Sequence, residues 1–273
     1  MRLIAALLAF SLTAAAHAQS LPPRIAESKI LRIAVNGTYP PMESIDPATN
    51  KLVGFDIDLG EELAKRLGVT LEWQNGAFAQ LIPAVQSGRA DMILSGISDL
   101  PARRENLDFI DYLNSGAQFY TLAANQEIKA AADLCGKRVG TVRSTSFMGN
   151  IEAWSADNCV KSGKPAIELV GIDTMPLVAT ELKQGRIDAA VRGSETIPTL
   201  MEQDPGAYRI VTQPFTVVLQ GIAFPKNETQ LRDAVLGALK QVFADGTYAR
   251  LIAKWKLEAS AAKQITLNGA PLP

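Results

Sequence analysis

Apolar and polar positions along this chain switch repeatedly between a period of two and a period near 3.6. Leu31-Arg32-Ile33-Ala34-Val35 is a short β run closed by Asn36-Gly37 and the Tyr39-Pro40-Pro41 breaker. A helix is expected from a cap at Asp56 through about Leu67, with Ile57, Leu63, Ala64 and Leu67 at helical spacing and Gly68 as its stop. Val69 to Trp73 reads as a strand. Phe78 to Gln86 reads as a helix with Pro83 near its first turn, and Asp91 to Leu94 as a strand running into Ser95-Gly96-Ile97-Ser98. This β-α-β-α-β order predicts parallel strands covered by helices.

The pattern then restarts. Strands are expected at Phe119 to Ala123, Arg138 to Val142, Ile167 to Val170, Asp188 to Arg192 and, after Tyr208-Arg209-Ile210-Val211 and Pro214, Gln220 to Phe224. Helices are expected from near Thr145, from Thr174 to Lys183, from Glu228 to Ala244 and from Thr247 to Lys256, the last two parted by Asp245-Gly246. The fold class is therefore α/β, in two units, each a mostly parallel sheet flanked by helices. Ligands of such sheets bind at the carboxyl ends of strands, which makes a cleft between the units the expected site.

Composition narrows the chemistry. With 27 Lys+Arg against 28 Asp+Glu there is no basic excess for neutralising phosphates, so no nucleic-acid partner is expected. The single histidine is His17, in a segment that reads as a removable leader: Met1-Arg2, then the apolar run Leu3 to Ala16, then Ala16-His17-Ala18 as an A-x-A cleavage site. Spanning a bilayer takes about 20 apolar residues, more than this run supplies. Residues 1–18 are thus expected to be a signal peptide and the mature chain to be exported. Without histidine it has no Ser–His or Cys–His relay, and neither a metal nor a cofactor is expected. The only cysteines are Cys135 and Cys159. An oxidising compartment favours their pairing, which in the chain-entropy model stabilises by about 3–4 kcal/mol; the alternative is two buried free thiols.

Several segments, in order, resemble the family 3 extracellular solute-binding proteins of ABC importers. They are Leu31 to Val35 before Tyr39-Pro40-Pro41-Met42; Gly54-Phe55-Asp56-Ile57-Asp58-Leu59; Leu81 to Asp91; Ser95-Gly96-Ile97-Ser98 followed by Arg103; Gly136 to Gly140; Gly185 to Ala190; and Asp245-Gly246-Thr247-Tyr248. The resemblance covers roughly residues 25 to 260. It implies a two-lobed periplasmic-binding-protein fold with two hinge crossovers and closure around a ligand. Lobe 1 would comprise residues 19–115 plus 221–273, and lobe 2 residues 116–220. The protein would be periplasmic, would bind an amino acid or other small carboxylate, and would deliver it, as a monomer, to ABC permease subunits.

The resemblance also implies site residues. Arg103 would grip a carboxylate bidentately, as a planar guanidinium can. Ser95, Gly96 and Ser98 would line the ligand, Tyr39 and Phe78 would wall its apolar body, and Thr145 and Ser146 would present a helix start to an anion. Two departures concern charge. Gly193 stands where amino-acid receptors of this family carry an ammonium-binding Asp, and Asn36 stands where an Asp is common. Glu195 is the nearest acid that would replace the first, and Arg143 and Arg192 add positive charge nearby. These changes are expected to disfavour lysine, arginine and ornithine and to favour an acidic or otherwise unusual carboxylate.

No catalytic residue is assigned. A dehydratase-like enzyme on the same fold would need an acid such as Glu43 or Glu195, and the helix start at Thr145 to Gly149 supplies none. A sensory receptor would carry a membrane or signalling segment, which does not follow Pro273, although a free receptor could present its ligand to a chemosensory partner.

Overall fold

The computed structural model describes residues 20–272. The signal-peptide reading of residues 1–18, and a mature start near Gln19, lie outside the described residues. The strands are β1 (Ile30–Val35), β2 (Thr38–Tyr39), β3 (Glu43–Ile45), β4 (Leu52–Val53), β5 (Thr70–Asn75), β6 (Met92–Ile93), β7 (Leu107–Ser115) and β8 (Ala117–Leu122). They continue as β9 (Arg138–Val142), β10 (Glu168–Ile172), β11 (Ala189–Gly193), β12 (Tyr208–Ile210), β13 (Val218–Pro225), β14 (Ala261–Leu267) and β15 (Ala270–Pro271).

They form two main sheets. The first has the order β15-β14-β7-β13-β6-β1-β5, the second β10-β9-β11-β8-β12, and β2, β3 and β4 make a small third sheet. The expected β-α-β-α-β order yields the parallel trio β5-β1-β6 in the first sheet, as the restart yields the parallel trio β10-β9-β11 in the second. Antiparallel strands extend both trios. Each sheet has its own core. Leu31, Ile33, Phe55, Leu59, Tyr112 and Phe224 pack on one face of the first sheet, with Ile93, Phe109 and Ala223 on the other. Phe119, Val139, Ile151, Val178 and Val191 centre the second. Each such large side chain contributes about 1.5–3 kcal/mol on burial.

The chain passes between the sheets twice. Gly116 alone separates β7 from β8, and the second passage runs from β12 into β13. β7 and β13 pair antiparallel along their lengths, with a bulge between Gln220 and Gly221. Cys135 and Cys159 are bonded, with Cα atoms 5.5 Å apart, tying the loop before β9 to the end of helix Ser146–Asn158.

Three local expectations need correction. Asp56 does not cap its helix: Gly54 is the cap residue, the helix runs Phe55–Leu67, and Asp56 sits in its first turn, fully buried. Its carboxylate accepts instead from Gly96 N (2.7 Å) and from the Tyr112 hydroxyl (2.8 Å). The nine-residue strand β7 was not expected, because Asp108 and Asp111 interrupt its apolar run. Both are buried, Asp108 against Lys226 and Arg232, Asp111 against Thr266 and Gly269 N. The C-terminal tail is not wholly helical: after helices Thr229–Ala244 and Thr247–Lys254 it returns as β14.

Candidate functional site

The loops that follow the carboxyl ends of β1 and β6 in the first sheet and of β9 in the second make the site. On the first side, Ser95 follows β6. Its hydroxyl accepts from Asn36 N (2.9 Å) and donates to Glu43 Oε1 (2.9 Å). Gly96 has φ 51, and a Cβ there would stand 3.1 Å from the Tyr39 ring, so a side chain would push that ring off the loop.

Glu43 and Asp56 are both buried beneath this loop. Burial and then the neighbouring Asp56 push the Glu43 carboxyl well above the usual range, and burial raises Asp56 to about 6. Two carboxyls in one dry pocket cannot both ionise cheaply, so they share a proton, carried by Glu43.

Arg103 is the penultimate residue of the short helix Pro101–Arg104. Its Nη1 donates to the Ser98 carbonyl (2.8 Å), and its guanidinium lies 5.8 Å from the Phe78 ring centroid. No carboxylate lies within ion-pair distance among the described residues. Burial lowers it to about 10, with only a longer-range opposing pull from Asp99. Arg104 is its opposite: it is held by both oxygens of Asp99, at 2.5 and 2.7 Å.

The second side is a helix start. Thr145 is the cap residue of helix Ser146–Asn158, and its hydroxyl donates to Val142 O (2.6 Å), leaving the first-turn N–H groups without a side-chain cap. Ser146 Oγ stands 3.3 Å from Ser98 Oγ, across the gap.

These groups enclose one cavity. The first side contributes Asn36, Thr38, Tyr39, Glu43, Phe78, Ser95, Gly96, Ser98 and Arg103; the second contributes Val142, Thr145, Ser146, Phe147 and Met175. Eight expected residues are thus brought together: Tyr39, Phe78, Ser95, Gly96, Ser98, Arg103, Thr145 and Ser146.

Three are not. Arg143 is a correction: its side chain is 59% exposed, its Nε bonds Asp173 at 2.8 Å, and its Nη2 bonds Gly171 O at 2.6 Å. An exposed acid and a carbonyl on the neighbouring loop hold it outside the cavity. Gly193 and Glu195 lie behind the Tyr39 ring rather than on the cavity wall. Glu195 accepts from the Tyr39 hydroxyl (2.7 Å), from Gln220 Nε2 (2.8 Å) and from the Ser115 hydroxyl. A Cβ on residue 193 would overlap that carboxylate and the Tyr39 hydroxyl. The absent side chain at 193 therefore leaves the room that Glu195 fills. In this arrangement Glu195 ties both crossover strands to Tyr39 and lies off the wall of the cavity, where an ammonium partner was expected.

Glu43 is the lining residue that sequence reasoning undervalued, naming it only as an acid for an enzyme. The signal was an acid directly after Tyr39-Pro40-Pro41-Met42, where the chain is otherwise apolar. No group of three or more His, Cys, Asp or Glu among the described residues is arranged to hold a metal.

Residues 31–258 match the bacterial extracellular solute-binding proteins, family 3. The chain is 33% identical over 258 residues to the histidine-binding periplasmic protein of Salmonella typhimurium, covering 91% of this chain and 93% of that one. It is 32% identical over 232 residues to the ABC transporter arginine-binding protein 1 of Escherichia coli, covering 82% and 90%. An ancestral arginine-binding protein bound to arginine superposes with a TM-score of 0.76 at 31% identity, over 83% of this chain and 98% of that one.

Proposed function

The chain belongs to the bacterial extracellular solute-binding proteins of family 3, and from that premise we propose how it works. It captures a small carboxylate-bearing solute, an amino acid or close relative, and delivers it to the permease subunits of an ABC importer. Lobe 1 is residues 19–115 with 221–273, lobe 2 is residues 116–220, and the lobes close about the paired strands β7 and β13. The mature protein is a periplasmic monomer released by cleavage after Ala18.

One observation carries this reading. Arg103 is a guanidinium inside the cleft with no acid within ion-pair distance among the described residues, over an aromatic ring and facing a helix start that is itself uncapped. A charge that cannot be shed at neutral pH, left without a partner where burial already depresses it, is a ready carboxylate anchor. Tyr39 and Phe78 then bound the solute's body, and Ser95, Ser98, Thr145 and Ser146 supply the remaining hydrogen bonds.

Lining charge also supports the ligand class. The one carboxyl on the cavity wall, Glu43, holds the proton it shares with Asp56, so the wall carries a fixed positive charge and no ionised acid. Relatives are named for arginine and histidine, but a basic side chain gains little in this cavity. Calorimetry against acidic, neutral and basic amino acids, each beside its deaminated analogue, tests this. Acidic or neutral carboxylates should bind and lysine should not. Tight binding of lysine or arginine refutes the charge argument, and silence from every carboxylate refutes the capture reading.

A further inference from the structure

A second cavity, of about 320 Å³, adjoins the first. Thr38 and Pro40 form one wall, and Met175, Lys183, Arg192 and Tyr208 are among those on the other. Thr38 and Met175 line both cavities.

Arg192 is the unusual member. It is the penultimate residue of β11 and only 4% exposed. Its Nε donates to the Thr196 hydroxyl, and its Nη2 lies 3.5 Å from Pro40 O, at the limit of a hydrogen bond. A guanidinium has five N–H donors, and Nη1 meets no acceptor among the described residues. No carboxylate stands within ion-pair distance of it either. Glu195, three residues on, is already committed to Tyr39, Ser115 and Gln220. A buried cation of this kind, beside open space, is incompletely compensated. Lys183 and Asp204 also line this cavity as an ion pair with no net charge, Lys183 lying 5.7 Å from the Tyr208 ring centroid, so Arg192 is the cavity's one unpaired charge among the described residues.

We propose that Arg192 is the anchor of a second carboxylate subsite, so that the solute captured is a dicarboxylate, one acid on Arg103 and the other reaching past Thr38 and Met175 to Arg192. This deepens the capture reading above and rests on it. The subsite is built from both halves of the molecule: Thr38 and Pro40 come from the first, Arg192 and Lys183 from the second. An anion there touches both halves and favours the closed form over any open one, which is the differential contact that closure requires.

The test compares monocarboxylates with α,ω-dicarboxylates of increasing length, amino-substituted and not, by calorimetry on the wild-type protein and on Arg192→Gln and Lys183→Gln. The wild type should prefer dicarboxylates of suitable length at least tenfold. Arg192→Gln should remove that preference while monocarboxylate affinity stays within about twofold. Lys183→Gln, at an exposed position that tolerates change, should cut the preference two- to fivefold, which keeps the test usable should Arg192→Gln not fold. Absence of a length-dependent preference in the wild type overturns the subsite while leaving monocarboxylate capture standing. Equal losses for both ligand classes in Arg192→Gln assign Arg192 to the architecture alone and overturn it too. Saturation of the second cavity by a separate small carboxylate such as acetate, beside a bound monocarboxylate, would show two ligands in place of one and likewise overturn the dicarboxylate. Should neither class bind, both readings fall together.

Discussion

The two walls of the cleft are made differently. On the first, polar side chains are locked before any ligand arrives: Ser95 between Asn36 N and Glu43, Asp56 between Gly96 N and Tyr112, Arg103 on the Ser98 carbonyl. On the second, the contributions are a helix start and short or apolar side chains, Thr145, Ser146, Val142, Phe147 and Met175. A preorganised wall spends little free energy on ordering when it binds, so the anchoring interactions belong there. The other wall adds contacts only once the halves approach, as Ser98 and Ser146 do. Affinity should therefore be concentrated on the first wall and closure on the second.

The largest break in that contrast should come from Arg103→Ala. It leaves a ligand carboxylate desolvated without a partner, which costs about 3 kcal/mol or more, a loss of at least a hundredfold in affinity. Folding stability should change little, because the wild-type guanidinium has no ion-pair partner to lose. Arg104→Ala should do the reverse, leaving Asp99 buried and unpaired, and lowering the melting temperature with little effect on affinity. Calorimetry and thermal denaturation of the two variants separate these outcomes. Comparable affinity losses from both would sink the distinction.

Much of this contrast was legible in the chain, and the exceptions have physical causes. The strand Arg138–Val142 and the helix starts at Thr145 and Thr174 follow from periodicity and turn residues alone. β7 escaped because its acids look like loop residues until Lys226, Arg232 and Thr266, distant in sequence, arrive to satisfy them. Arg103 and Arg104 are indistinguishable as a pair of residues; only the fold decides which one receives Asp99. The exchange at 193 and 195 failed for a related reason. Spacing shows that a carboxylate moved two positions, but not that its oxygens return to the space Gly193 vacates and then bond to Tyr39 and the crossover strands. Glu43 was underrated because nothing local says that Asp56 lies beside it.

That acid pair offers a second, smaller test of the first wall's preorganisation. Both carboxyls titrate above their unfolded values, so between pH 4 and the folded values the native state holds protons that the unfolded chain has released. Stability must then fall as pH rises through about 6 and beyond. The loss should be on the order of several kcal/mol between pH 5 and 8, with part of it from Asp111, which burial raises to about 7. Glu43→Gln removes the shared proton yet keeps a donor for Asp56, so it should flatten this decline without removing the Asp111 share. Denaturant titrations at stepped pH read it directly. A decline equally steep in the variant would mean that Glu43 and Asp56 do not share a proton.

The smallest effect is expected at the rim of the second wall. Arg143 sits in the loop that leads into the helix start, and its charge alone would recommend it as a ligand group. Its side chain is 59% exposed and its pairing with Asp173 is screened by water. Exposed pairs of this kind contribute about 0–1 kcal/mol, and the cavity wall does not include it. Arg143→Ala should therefore change affinity by less than about threefold at physiological salt, with any residual effect confined to the association rate and lost at high salt, since a rim charge steers anions without holding them. Stopped-flow association measured at low and high ionic strength separates the two roles. A salt-independent loss approaching that of Arg103→Ala would place Arg143 inside the closed cleft, against the ligand.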